Sequence, residues 1–401
     1  MSEVFPRKKI SEFCRLEIGG TPSRANADFW SDDGIGHPWV SIADMGPRLV
    51  AQTSERITEA SITRSNVKLV PKGTVLMSFK LTLGRMGIAG TDLFTNEAIA
   101  AFYPDAAVAT RDWLFYALPE AVASAQFDTA VKGATLNKAK LRDLAILVPP
   151  TIAEQHGIAS VLSALDEQIE QTEALIEKFG VTRAGLVRDL LAEVQSSPRL
   201  SLKQLAEVSG GVTLGREFTG SGIAEYPYLR VANVQDGRID LTEVKTIRIP
   251  IVSAAKAMLQ AGDVLMNEGG DFDKLGRGAV WNGQIPNCLH QNHVFRVRCD
   301  KTRLLPGFLS LWAASDFGKR FFILASKQST NLASINSTQL KSFPVLTPFI
   351  AKQQEIMDAV ESIDDIQTAN KAEAAKLRLQ KQGLMRDLLT GKVRVNRVGN
   401  A

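Results

Sequence analysis

The chain has 401 residues, of which 45% are hydrophobic and 22% charged, a composition that is ordinary for a globular protein with two or more domains. The sequence has neither an apolar run near the ~20 residues of a membrane helix nor the apolar segment of a signal peptide. Three cysteines without a CxxC motif and four histidines argue against a zinc framework, and a cytoplasmic location is expected. The net charge is +4, and most of the basic excess lies in residues 199–351, which suggests a polyanionic partner.

The first 150 residues predict a mixed α/β domain. Short apolar runs follow turn residues, as at 75–77, and are typical of strands, whereas residues 111–126 have helical spacing. The run 144–148, directly before Pro149-Pro150, predicts a closing strand.

A second copy of this pattern follows. The heptapeptide Gly-Leu-Val-Arg-Asp-Leu-Leu at 185–191 returns as Gly-Leu-Met-Arg-Asp-Leu-Leu at 383–389. The strand 75–77 returns at 264–266, the helix at 306–325 and the closing strand at 343–346. A repeat of this length exceeds a solenoid unit of roughly 20–50 residues. The sequence therefore predicts two domains, at 1–151 and 197–349, each followed by a helical spacer, at 152–196 and 350–401.

Each spacer predicts one long helix with a heptad seam, which would extend about 55 Å at ~1.5 Å per residue. The first seam is formed by Ile158, Leu162, Leu165, Ile169, Thr172, Ile176, Phe179, Arg183, Leu186 and Leu190. The second seam is formed by Ile356, Val360, Ile363, Gln367, Asn370, Ala374, Leu377, Lys381, Leu384 and Leu388. The apolar members are the candidate coiled-coil and subunit contacts.

Charge favours an antiparallel pair. The first part of helix one is acidic, the first part of helix two is acidic again, and the last part of helix two is rich in lysine and arginine. Only antiparallel pairing sets acid against base. The predicted fold is thus α+β, with two tandem mixed α/β domains joined by an antiparallel coiled coil and related by a pseudo-two-fold axis. The alternative is that each helix packs on its own domain.

A search for catalytic motifs yields little. The chain has no Walker A motif, G-x-S-x-G elbow or H-E-x-x-H, and its Pro-Pro at 149–150 lacks the flanking residues of an amino-methyltransferase. Glu268 with the acids at 271 and 273 and Lys274 faintly resembles a nuclease cluster, but the first copy has no matching acids. His290 and His293 could bind a metal, although satisfied polar residues or groups near DNA fit them better.

The loops of both copies instead carry residues suited to binding nucleic acid. Arginine, asparagine and glutamine read base edges, while serine, threonine and lysine suit phosphates. A solvated loop residue is an equally good explanation for each one singly, but their positions in equivalent loops strengthen the set. The candidates are Ser23, Arg24, Lys80, Thr82, Arg85, Lys132, Lys138, Thr213, Arg216, Arg230, Asn233, Asn267, Lys274, Arg277, Lys327, Gln328 and Asn331.

These features together resemble the specificity subunits of type I restriction-modification systems. The resemblance covers nearly the whole chain. It rests on the two-copy layout, Gly20-Thr21-Pro22-Ser23, residues 39–45 (Trp-Val-Ser-Ile-Ala-Asp-Met), Ile152-Ala153-Glu154-Gln155 and the closing segment at 383–393. The second copy departs from the opening pattern, with Gly211-Val212-Thr213-Leu214 and no proline.

The resemblance implies that each domain is a target recognition domain for one half of a split, asymmetric double-stranded DNA sequence. The helices would set the distance between the two half-sites and bind two methyltransferase subunits. Restriction/translocase subunits would join this complex. This chain would be a non-catalytic subunit without a cofactor or metal of its own, because S-adenosylmethionine, ATP and Mg would be bound by its partners. The source would be bacterial or archaeal. A rod longer than one DNA turn, ~34 Å, suits two half-sites on one face.

Two other functions stay open at this point. One is an enzyme whose active site is not visible in the sequence, and the other is a coiled-coil scaffold with two protein-binding domains and no DNA readout.

Overall fold

The computed structural model describes residues 5–31, 34–80, 82–128, 136–215, 218–219, 221–270, 275–276, 278–328 and 333–395, without the side chains of 125–128 and 328. The chain forms two compact units. Unit 1 combines Met1–Glu173 with Ala372–Ala401, and unit 2 is Ala174–Lys371. Within the described ranges, no helix has both the length and the apolar character needed to cross a membrane.

Unit 1 contains eleven strands and four helices of its own among its described residues. The strands are β1 (Arg7–Lys9), β2 (Cys14–Ile18), β3 (His37–Val40), β4 (Leu49–Val50), β5 (Glu55–Ile57), β6 (Leu69–Val70), β7 (Val75–Ser78), β8 (Met86–Ala89), β9 (Leu93–Thr95), β10 (Ile99–Pro104) and β11 (Ala145–Leu147). The helices are α1 (Ile10–Phe13), α2 (Glu59–Arg64), α3 (Arg111–Asp128) and α4 (Lys138–Asp143).

These strands form three sheets, ordered β2-β10-β7-β8-β4, β5-β3-β9-β6 and β1-β11. The central strand β7 is buried along its length and pairs antiparallel with β10, whereas β3 pairs parallel with β9 at Trp39 and Phe94. The main core of unit 1 packs α3 against the first sheet, and Trp113 and Phe102 are fully buried in it.

Unit 2 repeats this plan. Its strands are β12 (Arg199–Ser201), β13 (Ala206–Ser209), β14 (Ile223–Leu229), β15 (Lys245–Pro250), β16 (Asp263–Asn267), β17 (Gly269–Gly270), β18 (Gly278–Trp281), β19 (Leu289–His290), β20 (Val294–Cys299), β21 (Lys327–Gln328), β22 (Ala333–Ser334) and β23 (Pro344–Leu346). Its own helices are α6 (Ile251–Ala257), α7 (Pro306–Ala314), α8 (Asp316–Ala325) and α9 (Ser337–Lys341).

The sheets of unit 2 are β13-β20-β16-β18, β15-β14-β19, β17-β22-β21 and β12-β23. Here β16 takes the place of β7, and β14 pairs parallel with β19 as β3 does with β9. The predicted helix at 306–325 is two helices, α7 and α8, because Ser315 caps the second by accepting a hydrogen bond from the Gly318 amide. Phe308 and Phe343 lie in the core beneath them.

Two long helices, α5 (Ile152–Glu193) and α10 (Ile350–Leu389), contribute to both units. Every predicted seam position of both helices is buried or half-buried. In unit 1, Asp166 pairs with Lys381, and further along α5 the carboxylate of Glu173 pairs with Arg378. The residue number rises on one helix as it falls on the other, and the prediction of an antiparallel pair is confirmed.

Unit 2 shows the same direction of pairing. The amide of Gln367 donates to the Ile176 carbonyl at 3.1 Å, and Lys352 lies 2.9 Å from the Glu193 carboxylate. Arg183 forms a two-pronged ion pair with Asp364. The alternative, in which each helix packs only on its own domain, is therefore excluded.

A buried glutamine anchors the first turn of each long helix. The side chain of Gln155 accepts from the Thr110 amide at 2.7 Å and donates to the carbonyls of Val108 and Pro149 at 2.8 and 3.4 Å. These bonds tie the start of α5 to the loop before α3. These hydrogen bonds give the glutamine of the Ile152-Ala153-Glu154-Gln155 segment a structural role.

Candidate nucleic-acid interface

The described parts of two predicted DNA-binding loops of unit 2 lie side by side. Strand β17, in the loop after β16, pairs with β22 at Gly269 and Ser334, and β22 also pairs with β21 at Lys327. A Cβ on Gly269 would lie 2.7 Å from the Ala333 carbonyl oxygen, so only glycine permits this close approach. Segments separated by more than fifty positions in sequence thus form one small sheet.

This sheet borders a concavity of about 620 Å³. Arg230 and Lys327 line it, together with Gln291 and the pair Glu268 and His293, whose Oε2 and Nδ1 atoms are 2.5 Å apart. Positive and hydrogen-bonding side chains around a groove are the chemistry that holds a phosphate backbone and reads base edges. Sequence reasoning did not select Gln291, whose only signal is its position directly after β19.

Arg230 is partly restrained in this concavity. Its guanidinium lies 3.3 Å from the Glu243 carboxylate, and Lys245 is 3.8 Å from the same group. Thr213, also predicted in this unit, is exposed on the loop after β13.

Two predicted base readers have a different role. Asn233 is 3% exposed, and its side chain accepts from the Arg230 amide and donates to the carbonyls of Asp240 and Glu243. Asn267 is 1% exposed and donates to the Val234 carbonyl at 3.0 Å. These amides hold the loop in shape, since neither side chain reaches solvent, and the structure corrects their placement at a base edge.

The two histidines considered as metal ligands point to different partners. The His290 ring is fully buried and its Nδ1 donates to the Val294 carbonyl at 2.7 Å, whereas His293 pairs with Glu268. Burial lowers the pKa of His290 to about 4, so the ring is neutral near pH 7. In the part of the chain that is described, no group of three or more His, Cys, Asp or Glu is arranged to hold a metal ion.

In unit 1 the predicted Arg24 is held by aromatic and acidic neighbours. Its guanidinium lies 3.9 Å from the Trp30 ring centroid and makes a two-pronged ion pair with Glu55. Ser23 is exposed beside it, and its carbonyl accepts from the Trp30 indole at 3.2 Å.

A second acid, Glu97, lies close to Arg24. A hydrogen bond from the Thr21 hydroxyl, with Lys80 and Arg24 nearby, holds the pKa of Glu97 below its usual range. Unit 1 therefore offers fixed charges of both signs. The concavity of unit 2 also has charges of both signs, but they come from different residues, with Arg230, Lys327 and Glu268 at its border.

The other described candidates of unit 1 are exposed. Arg85 donates to the Ile42 carbonyl at 3.2 Å, and Thr82 lies in the same loop beyond Lys80. Lys138 is the first residue of α4, whose N-cap is Asn137. The remaining predictions lie outside the described residues: Lys132, Arg216, Lys274, Arg277, Asn331, the acids at 271 and 273, and the side chain of Gln328.

Known proteins match this chain in two parts, which correspond to the two halves of the repeat. The model of the family described as type I restriction modification DNA specificity domain matches residues 3–178 and 199–379. A putative type I restriction enzyme MjaX specificity subunit of Methanocaldococcus jannaschii is 29% identical over 47% of this chain and 44% of that protein. The type I restriction enzyme EcoKI specificity subunit of Escherichia coli is 25% identical over 58% of this chain and 53% of that protein. The chain spans about half the length of these curated relatives.

Solved structures share the fold. The crystal structure of a type I restriction-modification system S subunit from M. genitalium superposes with a TM-score of 0.57, at 15% identity over 96% of both chains. A chain from a study of complex assembly and conformational transition of the type I R-M system gives a TM-score of 0.60, at 14% identity over 97% of this chain and 98% of that one.

Proposed function

The chain belongs to the family of type I restriction-modification DNA specificity domains, and from this premise we propose that it is the non-catalytic DNA specificity subunit of such a complex. Each unit reads one half of a bipartite, asymmetric double-stranded DNA target. The subunit positions its enzymatic partners on that target.

The observation that carries this proposal is a duplicated framework with unlike candidate surfaces. Gln155 and Gln353 anchor the two units in the same way, but the candidate DNA-contacting residues of the two units differ. Unit 1 has Arg24 on Trp30, and unit 2 has the concavity with Arg230 and Lys327. Two similar domains with different readout residues are suited to two different half-sites, so the target is not a palindrome.

The helix pair supplies the frame for the partners. We propose that α5 and α10 set the distance between the half-sites and contact two methyltransferase subunits. S-adenosylmethionine would be bound by those subunits, and ATP and Mg by the restriction/translocase subunits that join them. We expect these partners to cover exposed apolar residues of the two helices, among them Leu175, Val181 and Leu379.

Genome-wide mapping of methylated adenine tests the proposal. Strains with the gene, without it, and with an inactivated methyltransferase partner are compared. We expect a split motif of two unlike halves to be methylated only when both subunits are present. Re-expression of this chain should restore the same motif.

Other outcomes would establish other functions. If no split motif disappears on deletion, and the complex with the methyltransferase binds no specific DNA, a scaffold with two protein-binding domains explains the fold. If the purified chain alone methylates or cuts DNA, the non-catalytic assignment is wrong.

A further inference from the structure

Tyr116 lies at the point where the globular part of unit 1 meets the helix pair. It is on α3 and is 2% exposed. Its hydroxyl donates to the Asp166 carboxylate of α5 at 2.6 Å and accepts from the Arg48 guanidinium at 2.8 Å. One hydroxyl group therefore bonds to two other segments of the chain.

The partners of Tyr116 are themselves restrained. Asp166 also pairs with Lys381 of α10, whose ammonium lies 5.5 Å from the Tyr116 ring centroid. Arg48 lies 3.8 Å from Asp112 at the start of α3. Burial and the Asp166 carboxylate raise the pKa of Tyr116, so the hydroxyl keeps its proton and remains a donor. Charged partners make such hydrogen bonds stronger than neutral ones.

Unit 2 has the ion pair of this network but not the tyrosine. Asp364 and Arg183 occupy the repeat positions of Asp166 and Lys381, and they pair in the same way. The repeat position of Tyr116 is Leu311 in α7, which packs against the core. The side chain of Asp364 is 42% exposed, whereas that of Asp166 is 18% exposed. A buried hydroxyl link between domain and helix is thus a feature of one copy.

We propose that Tyr116 is a positioning residue that fixes the first recognition domain at one angle on the helix pair, and so makes the complex selective for the distance between the half-sites. The inference rests on the proposed function. Without the hydroxyl, the shape of the interface is kept, but the domain can rock on α5. It then accepts a first half-site displaced by one base pair, which the wild-type protein rejects.

The test compares Tyr116→Phe with Tyr103→Phe in the complex with the methyltransferase partner. Tyr103 is a matched control, because its buried hydroxyl has no hydrogen-bond partner among the described residues. One DNA probe carries the mapped target with its native distance between the half-sites. In the other probes the DNA between the half-sites is one base pair shorter or longer. We expect Tyr116→Phe to lower the ratio of native to displaced methylation rates about three- to tenfold, the net effect of about one ordinary hydrogen bond. Tyr103→Phe should leave that ratio unchanged.

A second variant separates the hydrogen bond from the ion pair. Asp166→Asn keeps an oxygen that accepts from the tyrosine hydroxyl but loses the charge opposite Lys381. It should retain more of the spacing selectivity than Tyr116→Phe. A Tyr116→Phe complex with the wild-type rate ratio, or one whose rates fall equally at all spacings, would refute the positioning role. If the wild-type complex methylates no specific sequence, the proposed function itself fails, and this inference with it.

Discussion

Gln155 and Gln353 make the same three hydrogen bonds, one set in each unit. The side chain of Gln353 accepts from the Leu305 amide at 2.8 Å and donates to the carbonyls of Arg303 and Pro348 at 3.0 and 2.9 Å. Both glutamines are almost fully buried at the first turn of a long helix. The repeat therefore conserves a polar anchor between helix and domain as well as an apolar seam.

Replacing either anchor should destabilise its own unit. Gln155→Leu leaves a buried amide and two carbonyls without their partner, which we expect to cost about 2–3 kcal/mol. Hydrogen exchange measured by mass spectrometry should show lost protection around Thr110 and unchanged protection around Leu305. Gln353→Leu should give the reverse pattern.

The exposed Gln168 on α5 provides the control for this experiment. Gln168→Leu adds the same side chain without removing a buried hydrogen bond, and exchange around Thr110 should stay at the wild-type level. Equal loss of protection in both units for a single anchor variant would contradict independent anchoring.

The antiparallel register predicts a specific disulfide within unit 1. A chain with Leu162→Cys and Leu384→Cys should form an intramolecular disulfide under mild oxidation, since both positions lie in the seam near the Asp166–Lys381 pair. The native thiols of Cys14, Cys288 and Cys299 should not compete, because burial raises the pKa of each to about 12. Non-reducing electrophoresis with peptide mapping measures the product.

Leu162→Cys with Leu377→Cys is the mismatched pair. Its second site lies seven residues away on α10, about 10 Å along the helix, beyond the reach of a disulfide. Efficient crosslinking of the mismatched pair, or none of the matched pair, would show that the register is different.

The helices were predictable from sequence because burial follows a heptad period that any long paired helix must obey. The heptad spacing identified Lys381 and Arg183 as polar positions of the seam. Their ion-pair partners, Asp166 and Asp364, were identified only in the structure. The role of asparagine was not predictable. Asn233 and Asn267 have the side chain that reads adenine, yet the same amide caps a loop when it is buried. Pairing of β17 with β22 depends on contacts distant in sequence, which periodicity does not reveal.

Acid should destabilise unit 2 through His290. Its folded pKa of about 4 lies below the usual value of 6.5, because the buried ring is poorly solvated when charged. Below pH 6.5 the unfolded state takes up a proton that the folded state refuses, so stability falls as the pH approaches 4. The expected loss is about 2 kcal/mol between pH 7.5 and pH 5.

His290→Thr should reduce this dependence on pH. Threonine is the residue that unit 1 has at the equivalent place, Thr95, where β9 pairs with β3 as β19 pairs with β14. The free energy of unfolding of both proteins is measured with denaturant at pH 7.5 and pH 5. Only the change in this free energy between the two pH values is compared. An identical pH dependence in wild type and variant would show that another group is responsible.

Removing a single positive charge from the concavity should weaken contact with one half of the DNA. Lys327 is exposed at the border of the concavity and belongs to β21, an edge strand of the sheet β17-β22-β21. We expect Lys327→Ala to weaken binding of the complex about two- to fivefold and to lower the salt slope by about one, as for one lost phosphate contact. Titration of labelled target at several salt concentrations measures both quantities.

Footprinting of the same complexes then tells which half-site is affected. Protection should weaken at one half-site only, because unit 2 alone has lost a contact. Lys203→Ala removes an exposed lysine of unit 2 that does not line the concavity, and its footprint and salt slope should match the wild type. If Lys327→Ala weakens protection equally at both half-sites, the two units do not read DNA independently, and the division of the target between them is wrong.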